Sequence, residues 1–127
     1  MAISVEAVCS PDFSPEARAV WLAERVPSEE EAFQIAEVFK TLADPTRVRI
    51  ITLLSEGEIC VHELAQALEM TASAVSHQLR LLRHQGLVRA RRQGRHIFYR
   101  LDDEHVLQLL QQVREHLAHQ PGASSEA

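Results

Sequence analysis

The sequence predicts a mainly α-helical fold completed by one small β-hairpin, an α+β arrangement in a single domain. Three observations lead there. Apolar residues recur at three- and four-residue steps through most of residues 15–119. Helix start and stop signals punctuate that pattern. Only between Leu87 and Leu101, on either side of Gln93-Gly94, does the period shorten to two. A chain of 127 residues with 46% hydrophobic content is long enough for one core and too short for two ordinary domains.

Residues 1–14 hold Pro11 and no sustained period, and read as a flexible N-terminal arm. Pro15 suits the first turn of a helix reaching about Arg25, with Val20, Trp21 and Glu24 at helical spacing. Ser28 followed by Glu31 is a capping box for a helix through about Leu42, whose Phe33, Ile35, Ala36, Phe39 and Leu42 lie mostly on one side. Asp44-Pro45 repeats the start signal, and the next helix is rich in Val48, Ile50, Ile51, Leu53 and Leu54 until Gly57 stops it. Past Glu58-Ile59-Cys60 comes a short helix from about Val61 to Leu68. A break at Glu69-Met70-Thr71 follows, then a helix from about Ala72 to Gln85 closed by Gly86. Two helices around a tight turn form a helix-turn-helix candidate. Strands at Leu87–Arg91 and Ile97–Leu101 make the hairpin. Asp102-Asp103 opens a final helix with Val106, Leu109, Leu110, Val113 and Leu117 on its apolar side, and residues 120–127 read as a disordered tail.

The net formal charge of −5 argues at first against a polyanionic partner. Its distribution reverses the argument. From Thr71 through Leu101 there is no acidic residue but there are seven arginines, which leaves −12 on the remainder of the chain. A merely solvated face mixes both signs, so this segregation points to nucleic acid. On the second helix of the motif, Ser73, Ser76, His77 and Arg80 form a polar face while Val75, Leu79 and Leu82 turn inward. Such a face can enter a major groove, where serine, histidine and arginine bond base edges or phosphates, and Gln78 can pair with adenine if it is rotated far enough. Arg91, Arg92 and Arg95 are expected at the hairpin tip, supplying affinity and register over the flanking backbone.

Several segments, in order, resemble the ArsR/SmtB family of metal-sensing winged-helix repressors. They are Leu42-Ala43-Asp44-Pro45-Thr46-Arg47, Glu58-Ile59-Cys60-Val61-His62-Glu63-Leu64-Ala65, Ser73-Ala74-Val75-Ser76-His77-Gln78-Leu79, and Gln93-Gly94-Arg95-His96 with Phe98-Tyr99. The likeness covers roughly residues 30 to 119 and implies a homodimeric winged helix-turn-helix protein that releases operator DNA when a transition metal binds. One departure is Glu69, in a turn where relatives commonly have glycine, which predicts a strained or reshaped turn.

The final helix carries Asp103, His105, His116 and His119, ligand types suited to zinc, cobalt or nickel. His105 and His116 are eleven residues apart, ~16 Å along a helix, so one ion cannot join all four within one chain. Two such helices packed antiparallel across a twofold axis bring the N-terminal pair of one against the C-terminal pair of the other, giving two equivalent sites per dimer. The pattern is similar to the helix-five site of zinc- and cobalt-sensing family members; the ordinary alternative is a set of surface histidines. A second constellation comprises Cys60, His62 and Glu63, to which Cys9 of the arm could add a thiolate. There relatives that sense cadmium, lead or arsenic often have two cysteines. A lone cysteine in an apolar helix is more often a small buried hydrophobe.

The expected protein is therefore a metal-responsive repressor whose apo dimer binds an inverted-repeat operator and leaves it on binding Zn2+, with Co2+, Ni2+ and Cd2+ as alternatives. Two rivals remain: a thiol-based redox or sulfide sensor of the same fold using Cys9 and Cys60, and a metal-binding dimerisation module that does not bind DNA. An enzyme is not expected, because no nucleophile and base arrangement or phosphate-cradling glycine loop occurs and four protein ligands leave a metal no open position. No small organic substrate is expected. With no run of eighteen apolar residues and no secretory signal at the N-terminus, the chain is expected in the cytoplasm, away from membranes.

Overall fold

The computed structural model describes residues 14–120. The element order is α1 (Pro15–Ala23), α2 (Glu29–Leu42), α3 (Pro45–Leu54), β1 (Ile59–Cys60), α4 (Val61–Leu68), α5 (Ala72–His84), β2 (Val88–Gln93), β3 (His96–Leu101) and α6 (Glu104–Ala118). Among the described residues, 14–35 belong to one compact unit and 36–120 to another.

In the first unit, Ser14 caps α1 by accepting the Ala17 N–H on its hydroxyl at 3.1 Å. Pro15 fills a position whose N–H would be unpaired in any case. Arg25 folds back beyond the helix end. Its guanidinium carbon lies 3.8 Å from the centre of the Trp21 ring and its Nη1 donates to the Trp21 carbonyl at 2.7 Å. Ser28 accepts the Glu31 N–H at 3.1 Å and starts α2 where the capping pattern placed it.

The second unit contains the helix-turn-helix and the hairpin. Asp44 caps α3 through a 3.0 Å bond from the Arg47 N–H, and Thr71 caps α5 through one from Ala74 at 3.1 Å. The core gathers Ile50, Ile51 and Leu54 of α3, Leu64 and Leu68 of α4, Val75, Leu79 and Leu82 of α5, Tyr99 of β3 and Val106 of α6. Ile50, Leu64, Val75, Leu79 and Leu82 are wholly inaccessible to water. The inward-facing residues expected on α5 are thus the ones that hold it to α3 and α4.

Between α4 and α5 the chain turns at Glu69, whose φ of 55° and ψ of 45° place it in the left-handed region. It is the one residue other than glycine with positive φ among the described residues. The departure noted at Glu69 therefore sits at the position where a glycine would be unstrained.

The β-structure is larger than a hairpin. β2 and β3 pair antiparallel from Val88↔Leu101 to Gln93↔His96, and the two-residue β1 adds an outer strand through Ile59↔Tyr99 and Cys60↔Phe98. The sheet order is β1-β3-β2. Two residues are too few for alternation to show in the sequence, and the partner of β1 lies beyond the entire helix-turn-helix. At the tip, Gly94 has φ of 62° while Arg95 keeps an ordinary negative φ, the pattern of a type II′ turn.

Candidate nucleic-acid interface and metal centre

The polar face of α5 is present as the spacing required. Ser73, His77 and Arg80 are exposed, and Ser76 and Gln78 are half-buried. Gln78 differs from expectation. Its Oε1 accepts a 3.0 Å hydrogen bond from Nη1 of Arg47, whose Nε also donates to the Thr41 carbonyl at the end of α2. The acceptor half of the Gln78 amide is engaged, so the two-bond pairing with adenine, which needs acceptor and donor together, is not what this side chain presents.

On the hairpin, Arg92 and Arg95 are exposed and make no side-chain hydrogen bond or ion pair among the described residues. Arg91 corrects the expectation of three equivalent tip arginines. It lies within β2, its guanidinium forks onto Glu58 with Nη2 to Oε1 at 2.5 Å, and it also donates to Gln93 at 2.7 Å. Its guanidinium carbon stands 5.0 Å from the Phe98 ring centre. The fork holds the Glu58 carboxyl below the usual carboxylate range and raises Arg91 above the usual guanidinium value. Arg89 is similarly held by Asp102. The acids absent between Thr71 and Leu101 return from outside that segment, Asp102 next to it and Glu58 from beyond α4, and two of its seven arginines are paired with them.

At the start of α6, Asp103 is the N-cap. Its Oδ1 accepts the His105 N–H at 2.9 Å, and its Oδ2 lies 3.2 Å from His105 Nδ1. The His105 ring beside it is the main reason the Asp103 carboxyl sits below its ordinary range. Zinc bonds of about 2.0–2.1 Å at a tetrahedral angle place neighbouring ligand atoms roughly 3.3 Å apart, so this pair already stands at chelating distance. At the other end His119 is the C-cap, and the Nε2 atoms of His116 and Gln120 are 3.0 Å apart. His105, His116 and His119 are all exposed. Among the described residues no three potential ligands converge within one chain, in keeping with the spacing of the two pairs.

The second constellation is less open. Cys60 is buried, and its N–H donates to Glu63 Oε1 at 3.1 Å. That bond pulls the Glu63 carboxyl below its usual range and makes Glu63 a capping residue of α4. His62 is exposed and meets His96 edge-on, ring centres 6.0 Å apart. Cys9 lies outside the described residues.

Comparison with known proteins decides the family. The model described as "Bacterial regulatory protein, arsR family" matches residues 44–90. A transcriptional repressor SmtB homolog of Synechocystis is 50% identical over 72% of this chain and 70% of its own length. The chain belongs to the ArsR family.

A cadmium resistance transcriptional regulatory protein CadC homolog of Staphylococcus aureus is 42% identical over 68% of this chain and 72% of its own. A homodimeric winged helix-turn-helix DNA-binding domain from Mycobacterium bovis superposes with a TM-score of 0.67 at 34% identity, covering 76% of this chain and 92% of that one. In this ArsR-family chain the residues that sequence reasoning missed are Arg47 and Glu58. Both act through partners more than thirty positions away, Gln78 and Arg91, and pairing at that range leaves no periodic signal. Along the apolar side of the final helix, Val106 belongs to the core, while Leu109 and Leu110 are half-buried and Val113 and Leu117 are 48% and 53% exposed.

Proposed function

We propose that this ArsR-family winged-helix regulator is a homodimeric, metal-responsive repressor. It reads an inverted-repeat operator with α5 and steadies itself on the flanking backbone with Arg92 and Arg95. Asp103 and His105 of one protomer with His116 and His119 of its partner would hold zinc, cobalt, nickel or cadmium. The observation that carries the reading is the Asp103–His105 pair, two ligand atoms 3.2 Å apart at one end of a helix whose other end offers two more histidines. A regulatory relative named for cadmium resistance and another named as a repressor support it. When bound, the ion supplies a cross-link between the two final helices. The residues do the rest: Asp103 orients the His105 ring, and α6 passes its position to α3 through Val106 and Ile51, which share the core.

Dimerisation has its own support. Phe39, Leu42, Val48, Leu109 and Val113 line an open apolar groove of about 290 Å³ on the second unit, and Phe39 and Val113 are about half exposed there, a face that a second copy of the chain would cover. No catalytic activity is proposed. The buried position of Cys60 disfavours a thiol sensor, because oxidation follows exposure and thiolate character.

The test joins sedimentation, metal stoichiometry and DNA titration on one preparation. The expected result is a metal-free dimer that binds two zinc ions in its final helices and then holds operator about 5- to 150-fold more weakly, the usual range of allosteric coupling. A monomer at micromolar concentration, or zinc bound without loss of DNA affinity, would overturn it.

A further inference from the structure

The register of the small sheet brings two histidines together. Cys60 of β1 pairs with Phe98 of β3, so two residues further along one strand and two residues back along the other, His62 comes opposite His96. The chain has already turned into α4 at Val61, yet the two rings still meet edge-on, with 6.0 Å between their centres and 87° between their planes. The backbone fixes both positions, His62 in the first turn of α4 and His96 by its pairing with Gln93 beside the tip of the wing. Both side chains are exposed, and none of their ring nitrogens has a hydrogen-bond partner among the described residues.

Imidazole is a good ligand for zinc, nickel and copper. Metal–nitrogen bonds of about 2.0–2.1 Å at a tetrahedral angle put the centres of two ligating rings roughly 5 Å apart. The rings of His62 and His96 therefore need to close by about 1 Å, which a change of rotamer in exposed side chains supplies. Cys60 is buried and Glu63 is committed to the Cys60 N–H, so neither completes the set, and water would fill the remaining positions.

We propose that His62 and His96 form an additional metal site within each protomer, a pair of neutral imidazoles for a divalent cation such as Zn2+, Ni2+ or Cu2+. It shares no residue with α6 and stands independently of the site proposed there. An ion held by the pair ties the start of α4 to the root of the wing, the two parts that flank α5 in the chain.

The experiment is equilibrium dialysis of the full-length protein against zinc buffered in the micromolar range, with bound metal counted per protomer and the histidine ring signals followed by NMR. The variants are His62→Gln, His96→Gln, Cys60→Ser and a His116→Gln, His119→Gln double substitution that disables the final helices. The double variant is expected to keep one ion per protomer, and zinc shifts the ring signals of His62 and His96 together. His62→Gln and His96→Gln each lose one ion per protomer relative to wild type, and Cys60→Ser loses none. A double variant that binds no zinc, or a His96→Gln protein that binds as much as wild type, would overturn the proposal. So would a Cys60→Ser protein that loses the same ion as His62→Gln, because the ion would then belong to a cysteine site. Equal counts in wild type and double variant, with the ion lost on His96→Gln, would support the pair and refute the site on the final helices instead.

Discussion

Replacing Glu69 by glycine should stabilise the protein. Glu69 holds φ of 55° and ψ of 45° in the turn between α4 and α5, and its side chain is exposed and without hydrogen bonds among the described residues. A residue with a Cβ loses about 1–2 kcal/mol in that conformation. Glycine avoids this but has a more flexible unfolded chain, which costs back roughly 0.5–1 kcal/mol. The net is a gain of about 0.5–1 kcal/mol, seen as a rise in the urea midpoint of about 0.3–0.5 M at a slope near 2 kcal/mol/M. Protein concentration is held constant, because a dimer's midpoint depends on it. Glu69→Ala is the control. It removes the same carboxylate from the end of α4 but keeps the Cβ, so any benefit of lost charge appears in both variants and relief of strain only in glycine. Should Glu69→Gly prove no more stable than Glu69→Ala, the turn is not strained and the reasoning fails.

Replacing His116 by glutamine is expected to leave metal-free operator binding intact and to abolish release by zinc, while Cys60→Ser retains release; paired DNA titrations with zinc and with chelator decide it. Arg92→Ala and Arg95→Ala should each weaken binding to operator and random duplex alike and lower the salt slope by about one, whereas Arg91→Ala, whose fork is held by Glu58, should leave that slope nearly unchanged. The Glu58 and Asp103 carboxyls titrate lower folded than unfolded. Their stabilisation is complete above the ordinary carboxylate range and is lost as pH falls through the lowered folded values; Glu58→Gln should flatten the fall of Tm with acid. Leu64→Ala, at a position with no access to water, should cost about 2–5 kcal/mol in urea unfolding.

The helices were legible because each carries its own local signals: Ser28, Asp44 and Thr71 cap where their side chains reach an N–H three residues on. The reading face of α5 was legible for the same reason, since period 3.6 separates Val75, Leu79 and Leu82 from Ser73, His77 and Arg80. What escaped was long-range. Ile59–Cys60 became a strand only because Phe98 and Tyr99 pass beside it, and the Arg91 guanidinium left the tip set only because Glu58 stands across from it. The spacing of Asp103, His105, His116 and His119 was visible, as was the helix start at Asp102-Asp103, but not that the Asp103 carboxyl stands at chelating distance from the His105 ring while it caps the helix.

The outer strand β1 has a kinetic meaning. Its pairing with β3 joins the residues just before α4 to those just after the hairpin tip, so the helix-turn-helix is enclosed in a loop with both ends tied. A loop so closed cannot fray from an end. The amides of β3 should therefore exchange with solvent at the rate of α4 and α5, as one cooperative unit, and a bound duplex that slows one set should slow the other.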